Sequence, residues 1–205
     1  MSADTPAGAG CDCGPAARDA NAGVAGFDRR RVIRIAAATG AAMALGPLAP
    51  AAAHARPKAG DLLVADDAEG NPVAIKAADL VLGKPVLAYP FDPPSGQIRN
   101  DSRLNKVVLV KVAEADLDPE TRSRAAGGVL AFSAICTHQA CDVKTWLAVD
   151  KALVCFCHAS KFKPLEGGRV GDGPAPRALP MLPLKLLDGQ LAVAAPFLTP
   201  PGAAT

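Results

Sequence analysis

The residues best suited to chemistry are concentrated in one short part of the chain. Four of the six cysteines and two of the three histidines lie between Cys136 and His158. They form two boxes, C-T-H-Q-A-C over residues 136–141 and C-F-C-H-A-S over residues 155–160. Thiolate sulfur and imidazole nitrogen are ligands for transition metals, and each box offers one of each together with a further cysteine. The two boxes therefore predict a metal centre.

The same residues also fit a purely structural role or a zinc site. The four cysteines could be buried structural residues beside two surface histidines, but in an exported protein they would normally oxidise to disulfides, which leaves the matched histidines unexplained. A zinc site with two Cys and two His ligands could use the C-x-H and C-x-x-H spacings. Zinc does not need the further cysteine in each box. On the residues alone, both interpretations stay open.

The two boxes resemble those of Rieske [2Fe–2S] proteins of the high-potential type, in which two Cys bind one iron and two His bind the other. The resemblance implies one [2Fe–2S] cluster, with these ligands: Cys136 and Cys155 on one iron, His138 and His158 on the second. Neutral imidazoles donate less charge than thiolates, so the iron with His ligands accepts an electron more readily. Imidazole also becomes more acidic next to a metal cation, so electron uptake can be coupled to proton uptake.

The same resemblance extends to two further features. It implies that Cys141 and Cys157 form a disulfide that braces the two cluster loops; Rieske oxygenases lack this cysteine pair. It also covers a third motif, which is similar to the proline loop that lies over the cluster in such proteins: Gly173-Pro174-Ala175-Pro176-Arg177-Ala178-Leu179. Residues 173–179 are called the proline loop below.

Two residues, the last of the second box and the one two positions later, are expected to tune the reduction potential. Ser160 stands where the family's serine donates a hydrogen bond to a bridging sulfide, and hydrogen bonds to sulfur raise the potential. Phe162 stands where respiratory Rieske proteins usually have a tyrosine that donates to a ligand sulfur. Phenylalanine cannot donate. We therefore expect a potential above that of plant-type ferredoxins and below that of a relative with tyrosine.

The first 55 residues have the three parts of a secretory signal: a charged start, an apolar run over residues 35–48, and small residues at Ala53-His54-Ala55. The pair Arg29-Arg30 is typical of twin-arginine signals. We expect residues 1–55 to be such a signal with a disordered start, cleaved after Ala55, and the protein to be periplasmic. The alternatives are a Sec signal or an uncleaved inner-membrane anchor, since residues 35–53 have the length of a spanning helix, about 17–25 residues.

After residue 55, short apolar runs are separated by turn residues, as is typical of all-β proteins. The runs predict strands at 61–65, 73–75, 85–89, 106–112 and 129–135, with a loop forced by the prolines after residue 89. Asp188-Gly189 predicts a hairpin, and Asp118 before Pro119 predicts a helix that stops at Gly127. We interpret residues 56–205 as a Rieske-like antiparallel β-sandwich or barrel base with one short helix and a small cluster-binding subdomain at about 131–180.

Composition restricts the function further. A net charge of +2 and an aromatic content of 4% offer no electrostatic or stacking surface for nucleic acid. No substrate site or catalytic residue is indicated, so whether the chain belongs to an enzyme stays open. We expect an electron carrier or the redox subunit of a larger oxidoreductase, with a cytochrome or catalytic subunit as partner. The alternatives are the Rieske subunit of a quinol:cytochrome c reductase, with quinol as a further partner, and the small subunit of an arsenite oxidase.

Overall fold

The computed structural model of the protein describes residues 56–68 and 70–203. This part of the chain forms eleven strands in two antiparallel sheets, together with one short α-helix. The predicted export signal, with Arg29 and Arg30, lies outside the described residues. Within the described part, we find no helix with the length and apolarity needed to cross a membrane.

The first sheet contains seven strands: β1 (Leu62–Ala65), β2 (Val86–Asp92), β3 (Gln97–Ile98), β4 (Val107–Lys111), β5 (Val129–Ser133), β10 (Leu184–Leu187) and β11 (Gln190–Val193). They are hydrogen-bonded in the order β10-β11-β1-β2-β4-β5, with β3 beside β2. On the outer edge of β5, the Leu182 amide donates to the Ala131 carbonyl at 2.9 Å. Because residue 182 leads into β10, the sheet curls until its two ends approach each other.

The second sheet contains β6 (Thr145–Leu147), β7 (Ala152–Cys155), β8 (Ser160–Lys163) and β9 (Arg169–Asp172), hydrogen-bonded in chain order. The α-helix, α1 (Pro119–Arg122), lies between β4 and β5. Four 3-10 turns complete the described elements: Ala77–Asp79, Arg103–Asn105, Glu114–Asp116 and Pro164–Glu166.

Strands β4 and β5 separate two hydrophobic cores, since alternate residues of a strand face opposite sides of the sheet. One face packs inside the first sheet: Val107, Leu109, Val129 and Ala131 with Leu63 and Leu191. The other face packs against the second sheet: Val108, Val110, Leu130 and Phe132 with Leu153 and Phe162. Both strands are therefore buried on both faces, which explains their uninterrupted apolar sequences. Cys136 and Cys155 belong to the second core.

The predicted fold class is confirmed by the mostly β architecture with curled antiparallel sheets. The hairpin β10–β11 turns at Asp188 and Gly189, which have φ of +51° and +78°. Positive φ at both positions is what a two-residue hairpin turn requires. Helix α1 begins at Pro119 as predicted, with the Thr121 amide donating to Asp118 Oδ1 at 2.7 Å. It ends at Arg122, well before Gly127.

Two predictions about strands were wrong. Residues 73–75 form no strand, and only Ala74 makes a single bridge, with Val64. The hydrogen bonds of this stretch go to two different neighbours, since the Ile75 amide donates to Leu63 O and its carbonyl accepts from Leu191 N. Strand β2 continues through Pro90, where a loop was predicted. The Pro90 carbonyl accepts from Arg99 N at 2.8 Å, so its nitrogen faces the same side, away from β1. The missing N–H therefore costs no hydrogen bond to β1.

Candidate metal centre

Two tight loops position the boxes. The first box follows β5 and is closed by the Cys136 amide, which donates to the Cys141 carbonyl at 2.7 Å. The second box is the turn between β7 and β8, in which Cys155 and Ser160 are paired across the strands. Each loop contains an alanine in the left-handed region, Ala140 at φ +57° and Ala159 at φ +58°. This conformation costs an alanine about 1–2 kcal/mol, so the surrounding contacts must hold both loops in place.

Cys136 and Cys155 supply the buried half of the site. Both are free cysteines, each 1% exposed. Burial raises the pKa of the Cys136 thiol, and the neighbouring Cys155 thiol raises it further. The backbone amides of His138 and Gln139 act in the opposite direction, because they donate hydrogen bonds to the Cys136 sulfur. A cation bound here would displace the thiol protons and would be retained by sulfurs that water hardly reaches.

The histidines supply the solvent-facing half. His138 is half-buried and His158 is exposed. Their rings meet edge to face with centroids 4.7 Å apart, and their Nδ1 atoms are 3.2 Å apart. The structure thus brings the predicted His pair together, and its two Nδ1 atoms are close enough to serve one metal ion.

The predicted disulfide between Cys141 and Cys157 is present. It links the two boxes directly and lies beside a candidate ligand, since the sulfurs of Cys141, Cys155 and Cys157 all lie within 4.8 Å of one another. The two disulfide sulfurs have no thiolate to offer a metal. Of these three sulfurs, only that of Cys155 is available as a ligand.

The hydroxyl of Ser160 is a buried donor with nothing to bind in the described part of the chain. Ser160 is 0% exposed, and its Oγ has no hydrogen-bond partner among the described residues. A buried hydroxyl without a partner costs about 1–3 kcal/mol. Phe162, also 0% exposed, packs in the core that contains Cys136 and Cys155. Such an orphaned donor beside two buried thiols fits a bound group that accepts hydrogen bonds, as inorganic sulfide does.

The proline loop lies against both boxes. A Cβ atom at Gly173 would be 2.6 Å from Ser160 Cα and 2.8 Å from Ala159 O, so only glycine allows this approach. Ala175 is buried in the same core as the two free cysteines, whereas Pro174 and Pro176 are exposed. The structure therefore places this predicted loop at the candidate site.

One contact of the site was missed by sequence reasoning. Thr137, the second residue of the first box, is 0% exposed, and its hydroxyl donates to the Arg177 carbonyl at 2.8 Å. It joins the first box to the proline loop. The only signal was a hydroxyl residue between two candidate ligands, and no local pattern connects it to a residue 40 positions later.

Comparison with known proteins gives one matching family model, described as the Rieske [2Fe-2S] domain, over residues 91–183. The chain is 35% identical to the cytochrome bc1 complex Rieske iron-sulfur subunit of Corynebacterium glutamicum over 106 residues, which are 49% of this chain and 26% of that subunit. It is also 35% identical over 138 residues to a putative respiratory nitrate reductase subunit Rieske of Haloferax mediterranei, covering 66% of this chain and 58% of that protein. The matches thus span only part of these relatives.

Among solved structures, the chain is similar to the plasma membrane Rieske protein of Synechocystis, with a TM-score of 0.36 and 24% identity over 53% of this chain and 86% of that one. It is also similar to the soluble domain of Rieske protein II from Sulfolobus acidocaldarius, with a TM-score of 0.35 and 22% identity over 43% of this chain and 61% of that one.

Proposed function

We propose that this chain, whose residues 91–183 match the Rieske [2Fe–2S] domain, is a periplasmic electron-transfer protein in which the two boxes hold the cluster. A bound [2Fe–2S] cluster supplies one-electron oxidation and reduction. In this proposal Cys136 and Cys155 hold one iron, and His138 and His158 hold the other.

The observation that carries the proposal is the presence of two donor pairs, one of thiols and one of imidazoles, on two linked loops. Two buried thiols that interact with each other and two imidazoles that contact each other lie on two loops that a disulfide joins. The unpartnered hydroxyl of Ser160 lies beside them. Zinc would use the same four donors but has no hydrogen-bond-accepting sulfide for that hydroxyl. The donor set therefore favours the iron–sulfur cluster.

The histidines are the ligands through which electrons and protons would pass. Because His158 is exposed and the free thiols of Cys136 and Cys155 are buried, a redox partner would approach on the imidazole side. An imidazole that binds iron through Nδ1 has Nε2 free to hold or release a proton. We therefore propose that His158 donates or accepts a hydrogen bond at the contact with the partner.

Two features support the periplasmic location. The pair Arg29-Arg30 followed by an apolar run is typical of twin-arginine export. The disulfide between Cys141 and Cys157 would persist in an oxidising compartment and be reduced in the cytosol. N-terminal sequencing of the protein from a periplasmic fraction tests this part of the proposal. A first residue of Arg56 is expected, and a full-length chain in the cytoplasm would contradict it.

Electron paramagnetic resonance of the reduced, anaerobically purified chain tests the cluster itself. The expected result is the signal of a Rieske cluster with about two irons and two sulfides per chain. Zinc as the sole bound metal would contradict the proposal.

The Rieske subunit of a quinol:cytochrome c reductase is the second candidate. Exposed His158 could accept a hydrogen bond from a quinol hydroxyl, and several relatives are named as subunits of cytochrome bc1 complexes. Purification of the tagged full chain from its own cells separates the candidates. Co-purifying haem b with quinol oxidation would identify the reductase, and molybdenum would identify an arsenite oxidase or a related enzyme. A chain that purifies alone is a free carrier.

Replacing Ser160 by alanine is expected to lower the reduction potential. The hydroxyl donates to sulfur, which favours the more negative, reduced state, and its loss corresponds to roughly 40–130 mV at about 1–3 kcal/mol per one-electron step. Protein-film voltammetry measures the shift. Ser133→Ala is the matched control, because the buried Ser133 hydroxyl already accepts a hydrogen bond from the Ile135 amide. The reduction potential of this variant should equal that of the wild type. Equal potentials for Ser160→Ala and the wild type would show that this hydroxyl does not reach the cluster.

Replacing Phe162 by tyrosine is expected to raise the potential by a similar amount, since the new phenol can donate to a ligand sulfur. Phe162 is fully buried, so repacking could also change the potential. Phe162→Leu disturbs the packing without adding a donor and serves as the control. If both variants shift the potential equally and in the same direction, the hydroxyl is not responsible.

A further inference from the structure

Arg177 connects the proline loop to the end of the described chain. Its Nη2 donates to the Pro200 carbonyl and to the Gly202 carbonyl, both at 2.8 Å. Its Nη1 is buried without a hydrogen-bond partner among the described residues, although the residue as a whole is half-buried. One arginine therefore holds two carbonyls of residues 196–203, which are called the C-terminal segment below.

The backbone of Arg177 contacts the first box. The Arg177 carbonyl accepts the hydroxyl of Thr137 at 2.8 Å, and Thr137 is the neighbour of the candidate ligand His138. Arg177 thus joins two contacts. Its backbone binds the Thr137 hydroxyl of the first box, and its side chain binds the C-terminal segment. The hydrogen-bonded residues in this set are 23 to 40 positions apart in the sequence.

The C-terminal segment is itself fixed to the first sheet, so it can act as a support. Phe197 packs against the core inside that sheet, and the Leu198 amide donates to the Met181 carbonyl at 3.0 Å. Gly202 is buried, and a Cβ atom there would lie 3.2 Å from Leu104 Cδ2. The segment is therefore held to the rest of the domain on both sides of Pro200, by Leu198 before it and by Gly202 after it.

We propose that Arg177 is a positioning residue: through the C-terminal segment it holds the proline loop closed against the first box. The role of the loop in covering the cluster rests on the proposed function. At its start the loop is held by the close approach of Gly173 to Ser160, and at its end by the Leu179 amide, which donates to Gly168 O at 2.9 Å. Between these points, the loop depends on Arg177 and on buried Ala175. Without the guanidinium, the middle of the loop keeps the packing of Ala175 and loses its link to the C-terminal segment.

Hydrogen exchange followed by mass spectrometry on the full-length holoprotein tests this proposal. In Arg177→Met, amides of the proline loop and the first box should exchange about 10–100-fold faster, because two charge-assisted hydrogen bonds are lost. In Arg177→Lys, which keeps a donor, the exchange rates of these amides should lie between those of the wild type and of Arg177→Met. Arg124→Met is the matched control, since the Arg124 side chain pairs with the exposed Glu120 four positions earlier, and it should leave these amides unchanged.

A chain that ends at Leu198 provides the second arm. Because Arg177 acts through the segment, the truncation should accelerate the same amides, and adding Arg177→Met to it should have no further effect. The variants should also release iron to a chelator faster and shift the g values of the reduced protein. Additive effects of the two changes, or unchanged exchange in Arg177→Met, would overturn the proposal. If the truncated chain does not fold, Arg177→Met against Arg124→Met still decides.

These results separate the proposal from the proposed function. A wild-type chain without any Rieske signal would refute the cluster assignment, while the exchange experiment would still show whether Arg177 couples the C-terminal segment to the proline loop. A normal Rieske signal with unchanged exchange would refute the coupling alone.

Discussion

A chain in which Cys155 is replaced by serine is expected to lose its [2Fe–2S] cluster. Cys155 is 1% exposed and ends β7, so a serine hydroxyl there would be held at the same place without the soft thiolate that iron–sulfur clusters require. Changes to groups around metal ligands typically cost about 10–100-fold in metal affinity, and loss of a ligand itself should cost more. Iron analysis and EPR of the purified variant should both fall to background.

The control for this experiment is Val154→Ala. Val154 precedes Cys155 on β7 and is 3% exposed, so its truncation disturbs the packing of the same strand without removing a ligand. It should lower stability and leave about two irons per chain. If Cys155→Ser kept its iron, or Val154→Ala lost it, the assignment of Cys155 as a ligand would be wrong.

The paired substitution Cys141→Ala with Cys157→Ala is expected to have the largest effect on stability. The disulfide closes a loop of 16 positions, and a loop of this size is worth about 3 kcal/mol in the chain-entropy account. For a domain of this size that corresponds to a fall in Tm of about 6–12 °C. The cluster should also be released faster, because the two boxes are no longer joined.

Thermal unfolding with and without a dithiol reductant checks the effect and its cause. The reductant should lower the Tm of the wild type towards that of the paired variant and leave the variant itself unchanged. A variant that unfolds at the wild-type temperature would show that further contacts, such as the hydrogen bond between Thr137 and Arg177, are enough to hold the boxes together.

Much of the site could be predicted because its information is local. The C-T-H and C-F-C-H spacings place a thiol and an imidazole on one tight loop whatever surrounds it, and the turn at Asp188-Gly189 needs only positive φ at two adjacent residues. The cap of α1 is also local, since Asp118 and Thr121 are three positions apart. The length of that helix was not predictable in the same way. The helix ends at Arg122, before Gly127, and just after it the Arg124 carbonyl accepts a hydrogen bond from the distant Leu184 amide.

The errors occurred where distant residues decide the outcome. Residues 73–75 have a strand-like sequence, yet their hydrogen bonds are divided between β1 and β11. Pro90 is a breaker by local rules, and it is accepted in β2 only because its nitrogen faces away from β1. In both cases the position of a neighbouring strand decides the secondary structure. That position cannot be derived from the spacing of residues along the chain.

By itself, the sequence determined the kinds and number of candidate ligands and the motifs that relate the chain to Rieske proteins, because ligand chemistry depends on residue type and short spacing. Only the tertiary structure decided that the thiols are buried while His158 is exposed, that the Ser160 hydroxyl has no partner among the described residues, and that Arg177 joins the proline loop to residues 196–203. These properties depend on how two curled sheets pack through β4 and β5. Packing brings together residues tens of positions apart, so they cannot be read from local patterns.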